Sequence, residues 1–331
     1  MKAAFGKIPF QVEIREIEVP SIGPDEVLVK VKATGICGTD VHVVNTLGTD
    51  FMPLGHEVVG TIEKTGGNVS TCKVGDKVVV ENSTYCGVCE DCKNGRVEQC
   101  TNVYHLENQP GFAEYIRVYK NGTNRFDGLS FPEATLAEPL TVALDLVNVS
   151  DIRLGDKVAV LGGGPIGLMA VKLAALRGAG KIYLTDLSGS KVRLETGKNF
   201  GADEIIEVDK ADITKKIKDV DRVLITAPPS TIPKGIGICK YGGIVSFIGI
   251  EYGKKSRVSF NANKFHFKKL QLRASYAVPN TMFPVALELL QQRVIDPQAL
   301  ITHAFPLKDT GDALKRVYYH REDTIKAVII L

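Results

Sequence analysis

A chain of 331 residues, 44% hydrophobic and 24% charged, is long enough to bury two cores. Its net charge of +3 is spread along the chain, so no basic stripe marks a nucleic-acid partner, and no apolar run reaches membrane-spanning length. The N-terminus lacks the apolar segment of a secretory signal and four of the seven cysteines cluster at metal-ligand spacing, which points to a cytoplasmic protein with reduced thiols.

From the N-terminus, Val12–Val19 and Glu26–Ala33 alternate apolar and charged residues around Pro20, Gly23 and Pro24, the pattern of antiparallel strands with one solvated face. Further strands are expected at Val58–Ile62 and, after the Gly75-Asp76 turn, at Lys77–Val80. The first part of the chain is therefore β-rich. Inside it lie Cys37, Thr39 and His42 and, 19 residues after Cys37, His56-Glu57. Cys, His and Glu all ligate zinc, and a catalytic site uses three protein ligands and keeps one position open. Each also has an ordinary reading: Cys37 as a small core side chain, His56 as a hydrogen-bonded turn histidine, Glu57 as a surface charge.

The next cluster is less ambiguous. Cys86, Cys89 and Cys92, then Cys100 after seven intervening residues, place four thiols in a polar, glycine-bearing lobe. Four thiolates with no open position make a structural zinc site, against which two disulfides are the competing arrangement. Cys72 and Cys239 lack such neighbours and read as plain thiols. Pro110–Val118 reads as another strand, and Ala137–Leu144 opens a helix with Pro139 near its first turn.

Val158–Leu161 then has the length and type of a buried parallel strand, and it ends in Gly162-Gly-Gly164-Pro165-Ile166-Gly167 before apolar positions at helical spacing. Strand, glycine turn and helix come in the order a dinucleotide site requires. The first glycine allows the tight turn, the second lets backbone approach a pyrophosphate, and the third lets helix and strand pack closely. A second apolar run ends in Asp186, 19 residues beyond Gly167, where a carboxylate accepts from ribose hydroxyls and selects NAD. Lys191 and Arg193 are further cofactor-side candidates: such cations can hold a phosphate, but on a helix starting near Ser188 they are expected to face solvent or the adenine edge. Strands at Glu204–Val208, Arg222–Thr226 and Gly243–Phe247 alternate with helices, which implies a parallel doubly wound sheet. Two helices, Phe283–Gln292 and Thr310–Tyr319, precede a last strand, Thr324–Leu331.

Cys37-Gly-Thr-Asp-Val-His42, Gly55-His56-Glu57-x-x-Gly60, Gly75-Asp76-Lys77-Val78, the cysteine quartet, Gly111-Phe-Ala-Glu-Tyr115, Glu138-Pro139-Leu140 and Gly162 to Gly167 stand in one fixed order. Together they resemble the zinc-containing medium-chain alcohol and polyol dehydrogenases, in the sorbitol and threonine dehydrogenase-like branch, over nearly the whole chain. The resemblance implies an α/β protein: a GroES-like β-rich catalytic domain over residues 1–140 with a structural zinc lobe at about 82–102, a Rossmann NAD-binding domain over 141–275 with a doubly wound parallel sheet, and a C-terminal segment 276–331 returning to the catalytic domain.

It also implies two zinc ions per chain and NAD. Cys37 and His56 are then catalytic zinc ligands, Glu57 orients the site or exchanges with water as a ligand, and Glu138 is the fourth ligand, directly or through water. Cys86, Cys89, Cys92 and Cys100 hold the structural zinc. Thr39 and His42 resemble a proton relay to solvent. The implied reaction moves a hydride between NAD and a secondary alcohol of polyol, sugar or amino-alcohol type, or its ketone, in a homodimer or homotetramer. Three features depart from the polyol pattern: a short segment between Cys37 and His56, Ala277 at the place of an arginine, and Asp145 where relatives often have histidine. Two other readings share the scaffold, a zinc-free quinone or enoyl reductase and a non-catalytic regulator that binds zinc and nucleotide.

Overall fold

The computed structural model describes residues 1–106 and 109–331 and divides into two compact units, residues 1–141, 277–320 and 326–331, and residues 142–276 and 321–325.

In the first unit the strand Glu26–Gly35 is the organising element. It pairs antiparallel with Glu57–Thr65, with Tyr115–Tyr119 and with the C-terminal strand Lys326–Ile330. Lys77–Val80 and Thr123–Arg125 extend the sheet on one side and Ile301–Pro306 on the other. The alternating valines Val27, Val29 and Val31 turn to one face and pack on Val58, Ile62, Val78, Val80, Ile116 and Val118. Each such buried side chain contributes about 1.5–3 kcal/mol relative to exposure. A separate sheet is built from Gln11–Glu16, Lys2–Lys7 and Met52–Pro53.

The strand expected over Pro110–Val118 begins only at Tyr115. Its first residues instead run beside the turn that precedes His56: Phe112 N–H donates to the Leu54 carbonyl at 2.9 Å and Gly111 N–H to the Gly55 carbonyl at 3.1 Å. A Cβ on Gly111 would come within 2.5 Å of that Gly55 oxygen, so glycine is what permits the close approach.

The second unit is a six-stranded parallel sheet in the spatial order Glu204–Glu207, Lys181–Asp186, Lys157–Leu161, Val220–Ile225, Cys239–Phe247, Gln271–Ala274. By chain order this is 3-2-1-4-5-6, with the reversal between the first and fourth strands where dinucleotides bind in such sheets. Its central strands are buried, Val220–Ile225 along its whole length and Lys157–Leu161 from its second residue, whereas the edge strand Gln271–Ala274 is largely exposed. Residues 321–325 pack here, with Val192 N–H donating to the Glu322 carbonyl at 3.3 Å. No helix among the described residues is long and apolar enough to cross a membrane.

Candidate active site

Cys37 follows the strand Glu26–Gly35 and sits at the start of a one-turn helix, Gly38–His42. Asp40, on that turn, accepts from Cys37 N–H through Oδ2 and from Gly55 N–H through Oδ1, both at 2.8 Å. One buried carboxylate thus holds two segments distant in sequence at a fixed separation. Gly55 has φ +89° and no room for a Cβ beside Phe112, so the turn it makes delivers His56 with no alternative residue at that position. The ligand atoms of Cys37, His56 and Glu57 come within 4.8 Å of one another.

Glu57 is engaged from its other side. Lys326 Nζ donates to Glu57 Oε1 at 2.5 Å and to the Ile36 carbonyl at 2.9 Å. Glu57 Oε2 is ion-paired with the same ammonium yet accepts no hydrogen bond, which leaves a buried carboxylate lone pair in the cluster. Gly35 makes space for it, since a Cβ there would lie 1.9 Å from Oε2.

Negative charge dominates this corner. Burial opposes a charged imidazole, but the Cys37 thiolate with Asp40 and Glu138 outweighs it and holds His56 well above its ordinary 6.5. Burial pushes the Glu138 carboxyl up to about 7, with His56 and Lys326 pulling it down and Glu57 and Asp40 pushing it up. Glu138 opens the helix Ala137–Val149, and its Oε1 accepts from Asn82 Nδ2 at 3.0 Å. It stands outside the set of three crowded ligand atoms. A sulfur, a nitrogen and a carboxylate oxygen brought within 4.8 Å of one another, together with surplus negative charge, fit a zinc ion with an open position.

The quartet fits a closed one. Cys86 and Cys92 sulfurs are 4.0 Å apart, Cys89 and Cys100 3.9 Å, Cys86 and Cys100 3.6 Å. Backbone N–H groups point at the sulfurs, as from Val88 and Cys89 to Cys86 Sγ at 3.4 and 3.3 Å. The Cys92 and Thr101 N–H groups bring the Cys89 thiol down to about 6, whereas burial and the neighbouring thiols push Cys92 up to about 12. Sulfurs this crowded cannot all ionise without a cation among them.

In the second unit Gly162 takes φ +115°, and a Cβ on Gly167 would lie 1.9 Å from the Gly162 carbonyl oxygen. Gly164 has nothing within 4 Å of where its Cβ would be, which leaves its backbone open to a ligand. Pro165 and Ile166 then begin the helix Pro165–Leu176, whose N-cap Gly164 provides no side-chain cap. Asp186 closes its strand with Oδ2 accepting from Gly163 N–H at 3.1 Å and Oδ1 from Leu187 N–H at 2.7 Å.

Residues 23–126 match the alcohol dehydrogenase GroES-like domain family and residues 165–292 the zinc-binding dehydrogenase family. The sorbitol dehydrogenase of Bacillus subtilis (strain 168) is 32% identical over 99% of this chain and 97% of its own. The chain belongs to the zinc-containing medium-chain alcohol and polyol dehydrogenases. The D-xylulose reductase of Saccharomyces cerevisiae is 30% identical over 97% of the chain and 95% of its own. Among solved structures, alcohol dehydrogenase TADH from Thermus sp. ATN1 superposes with a TM-score of 0.89 at 26% identity, covering 100% of this chain and 99% of that one. The 2R,3R-butanediol dehydrogenase from Bacillus subtilis gives 0.85 at 27%, with the same coverage.

For a dehydrogenase of this family the expected residues fall in three groups. Cys37, His56 and Glu57 converge, the quartet converges, and the Gly162–Gly167 turn is hydrogen-bonded through Gly163 N–H to Asp186 at the end of the next strand. Thr39 is exposed and His42 half-buried on the Gly38–His42 turn. Arg193 corrects the sequence reading, which had it facing solvent or the adenine edge. It is 9% exposed and its Nε donates to the Thr324 carbonyl at 2.9 Å, because the 321–325 segment covers that helix face. Lys191 remains exposed. Asp145 takes a hydrogen bond from Ser275 Oγ at 2.5 Å within the second unit. Asp40, Asn82 and Lys326 also belong to the site, although the sequence motifs assign none of them a role. Only Asp40 carried a signal, three residues after Cys37 at the capping-box spacing.

Proposed function

We propose that this dehydrogenase oxidises a secondary alcohol of a polyol, sugar or amino alcohol, or reduces the matching ketone, with NAD and two zinc ions per chain. The convergence of Cys37, His56 and Glu57 beside the buried Glu138 carries the reading. Cys37 and His56 hold the catalytic zinc, Glu57 and Glu138 complete its surroundings, and Cys86, Cys89, Cys92 and Cys100 hold the structural one. When bound, zinc supplies a Lewis acid for the substrate oxygen and NAD accepts the hydride.

The chain's own residues do the rest. Asp40 fixes the separation of Cys37 and His56, and the Gly162–Gly167 turn receives the pyrophosphate while Asp186 takes the ribose hydroxyls. Thr39 and His42, three apart on one helical turn, share a face and pass the hydroxyl proton to solvent. Carboxylates near the zinc favour substrates with neighbouring hydroxyl or amino groups, since buried polar atoms need partners. Ala277 offers no cationic anchor, so neutral polyols fit better than sugar acids or phosphates.

A second copy of the chain is the expected partner, supported by the exposed edge strand Gln271–Ala274 with Tyr276 72% exposed beside it. We read the working form as a homodimer or homotetramer in the cytoplasm, without nucleic-acid or membrane partners. The test is a panel of polyols, sugars, amino alcohols and simple aliphatic alcohols scored by NADH absorbance. A higher kcat/KM on a polyol or amino alcohol is expected; an aliphatic alcohol outperforming all of them overturns the substrate class.

A further inference from the structure

We propose that Asn82 is a positioning residue that sets the direction of the Glu138 carboxylate toward the catalytic zinc; this rests on the role of Glu138 given above. The observation is a closed circuit of hydrogen bonds through three chain segments of one unit. Asn82 Nδ2 donates to Glu138 Oε1 at 3.0 Å, and Ser83 Oγ donates to Asn82 Oδ1 at 3.3 Å. The Ser83 carbonyl accepts from Asn280 N–H at 3.4 Å, and Asn280 Nδ2 donates to Thr141 Oγ1. Thr141 Oγ1 in turn donates to the Glu138 carbonyl at 2.5 Å, which closes the ring on the residue where it began.

Each link has one permitted sense. An ionised Glu138 carboxylate only accepts, so the Asn82 amide turns its N–H₂ side to it and leaves Oδ1 to accept from the Ser83 hydroxyl. Met282 N–H on Asn280 Oδ1 at 3.2 Å orients the second amide in the same way. Ser83, Asn280 and Thr141 are 2%, 1% and 0% exposed, so these three links of the ring are closed to solvent, and Asn82 is half-buried beside them. Asn82 therefore commits Oε1 to itself and fixes the line along which Glu138 presents its other oxygen. Outer partners of this kind affect metal affinity or rate by about 10–100-fold.

Asn82→Asp separates positioning from mere shape, because it keeps the size and replaces the donor with a carboxylate facing a carboxylate. The zinc-loaded enzyme and the variants Asn82→Ala, Asn82→Asp and Glu138→Gln are compared by the rate of zinc release to a chelating dye and by kcat and KM on a polyol. About 10-fold or faster release of one zinc is expected in both Asn82 variants, with Asn82→Asp worse than Asn82→Ala. Release of the second zinc and KM for NAD stay at their original values, and kcat falls in parallel with the faster release. Wild-type behaviour of Asn82→Asp alongside a loss in Asn82→Ala makes Asn82 a shape filler and overturns the proposal. Wild-type zinc release and kcat in Glu138→Gln overturn the Glu138 reading itself and this proposal with it, an outcome distinct from failure at Asn82 alone.

Discussion

Lys326 Nζ and Glu57 Oε1 meet at 2.5 Å across 269 residues of sequence, between side chains 3% and 1% exposed. Burial disfavours the ammonium, yet the Glu57 charge and then the Cys37 thiolate hold Lys326 above its ordinary value. Lys326→Met removes the ammonium and leaves a buried carboxylate unpaired, at an expected cost of about 3–5 kcal/mol. Adding Glu57→Gln removes the orphaned charge, so the double variant should recover part of the loss. Urea unfolding of the four proteins of this cycle measures it; strictly additive losses would show that the two side chains do not interact.

The proposed role of Asp186 in cofactor choice is tested directly, since two backbone N–H groups hold its carboxylate in place. A 2′-phosphate brought to about 4 Å from its carboxylate meets a repulsion of about 4 kcal/mol at an effective dielectric near 20. Half of that still gives a preference above about tenfold for NAD. Asp186→Ser should weaken NAD and improve NADP. Equal kcat/KM for the two cofactors in the unmodified enzyme would mean that Asp186 does not face the ribose.

Stability should fall with rising pH through Glu81. Its carboxyl is 8% exposed, and burial pushes it from 4.5 up to about 7 although Asn124 Nδ2 donates to Oε1 at 2.8 Å. The folded state then binds more protons than the unfolded one between those values, so this contribution is fully present below 4.5 and lost as pH rises through about 7. The rise corresponds to roughly 3 kcal/mol, an order-of-magnitude figure. Urea midpoints of the wild type and Glu81→Gln, taken at pH 5 and pH 8, should show the wild type losing more. Parallel changes in the two proteins would remove Glu81 as the cause.

What the sequence made legible was local. The quartet falls within 15 residues, and the glycine turn is dictated by crowding, since a Cβ added at Gly167 would lie 1.9 Å from the Gly162 carbonyl oxygen. Glycine, cysteine and histidine spacing expresses such constraints directly. The partners that orient the site were not legible, because nothing in a sequence distinguishes a lysine destined for a buried pair from a surface lysine. Lys326 and Asn82 acquire their roles only when the sheet brings them to Glu57 and Glu138, 269 and 56 residues away. Arg193 was misjudged for the same reason: the 321–325 segment that covers it is 131 residues further along at Thr324. The start of the strand at Tyr115 was missed because apolar alternation does not show that the N–H groups of Gly111 and Phe112 are already engaged.

Zinc content and NADH formation, measured together in the wild type, Cys37→Ser and Cys92→Ser, test the catalytic assignment most directly. Two zinc ions per chain with polyol turnover are expected in the wild type, and a folded, inactive protein with one zinc in Cys37→Ser. Cys92→Ser should lower stability or solubility, since a closed thiolate site contributes directly to folding. Near-native turnover with two zinc ions in Cys37→Ser would contradict the catalytic assignment.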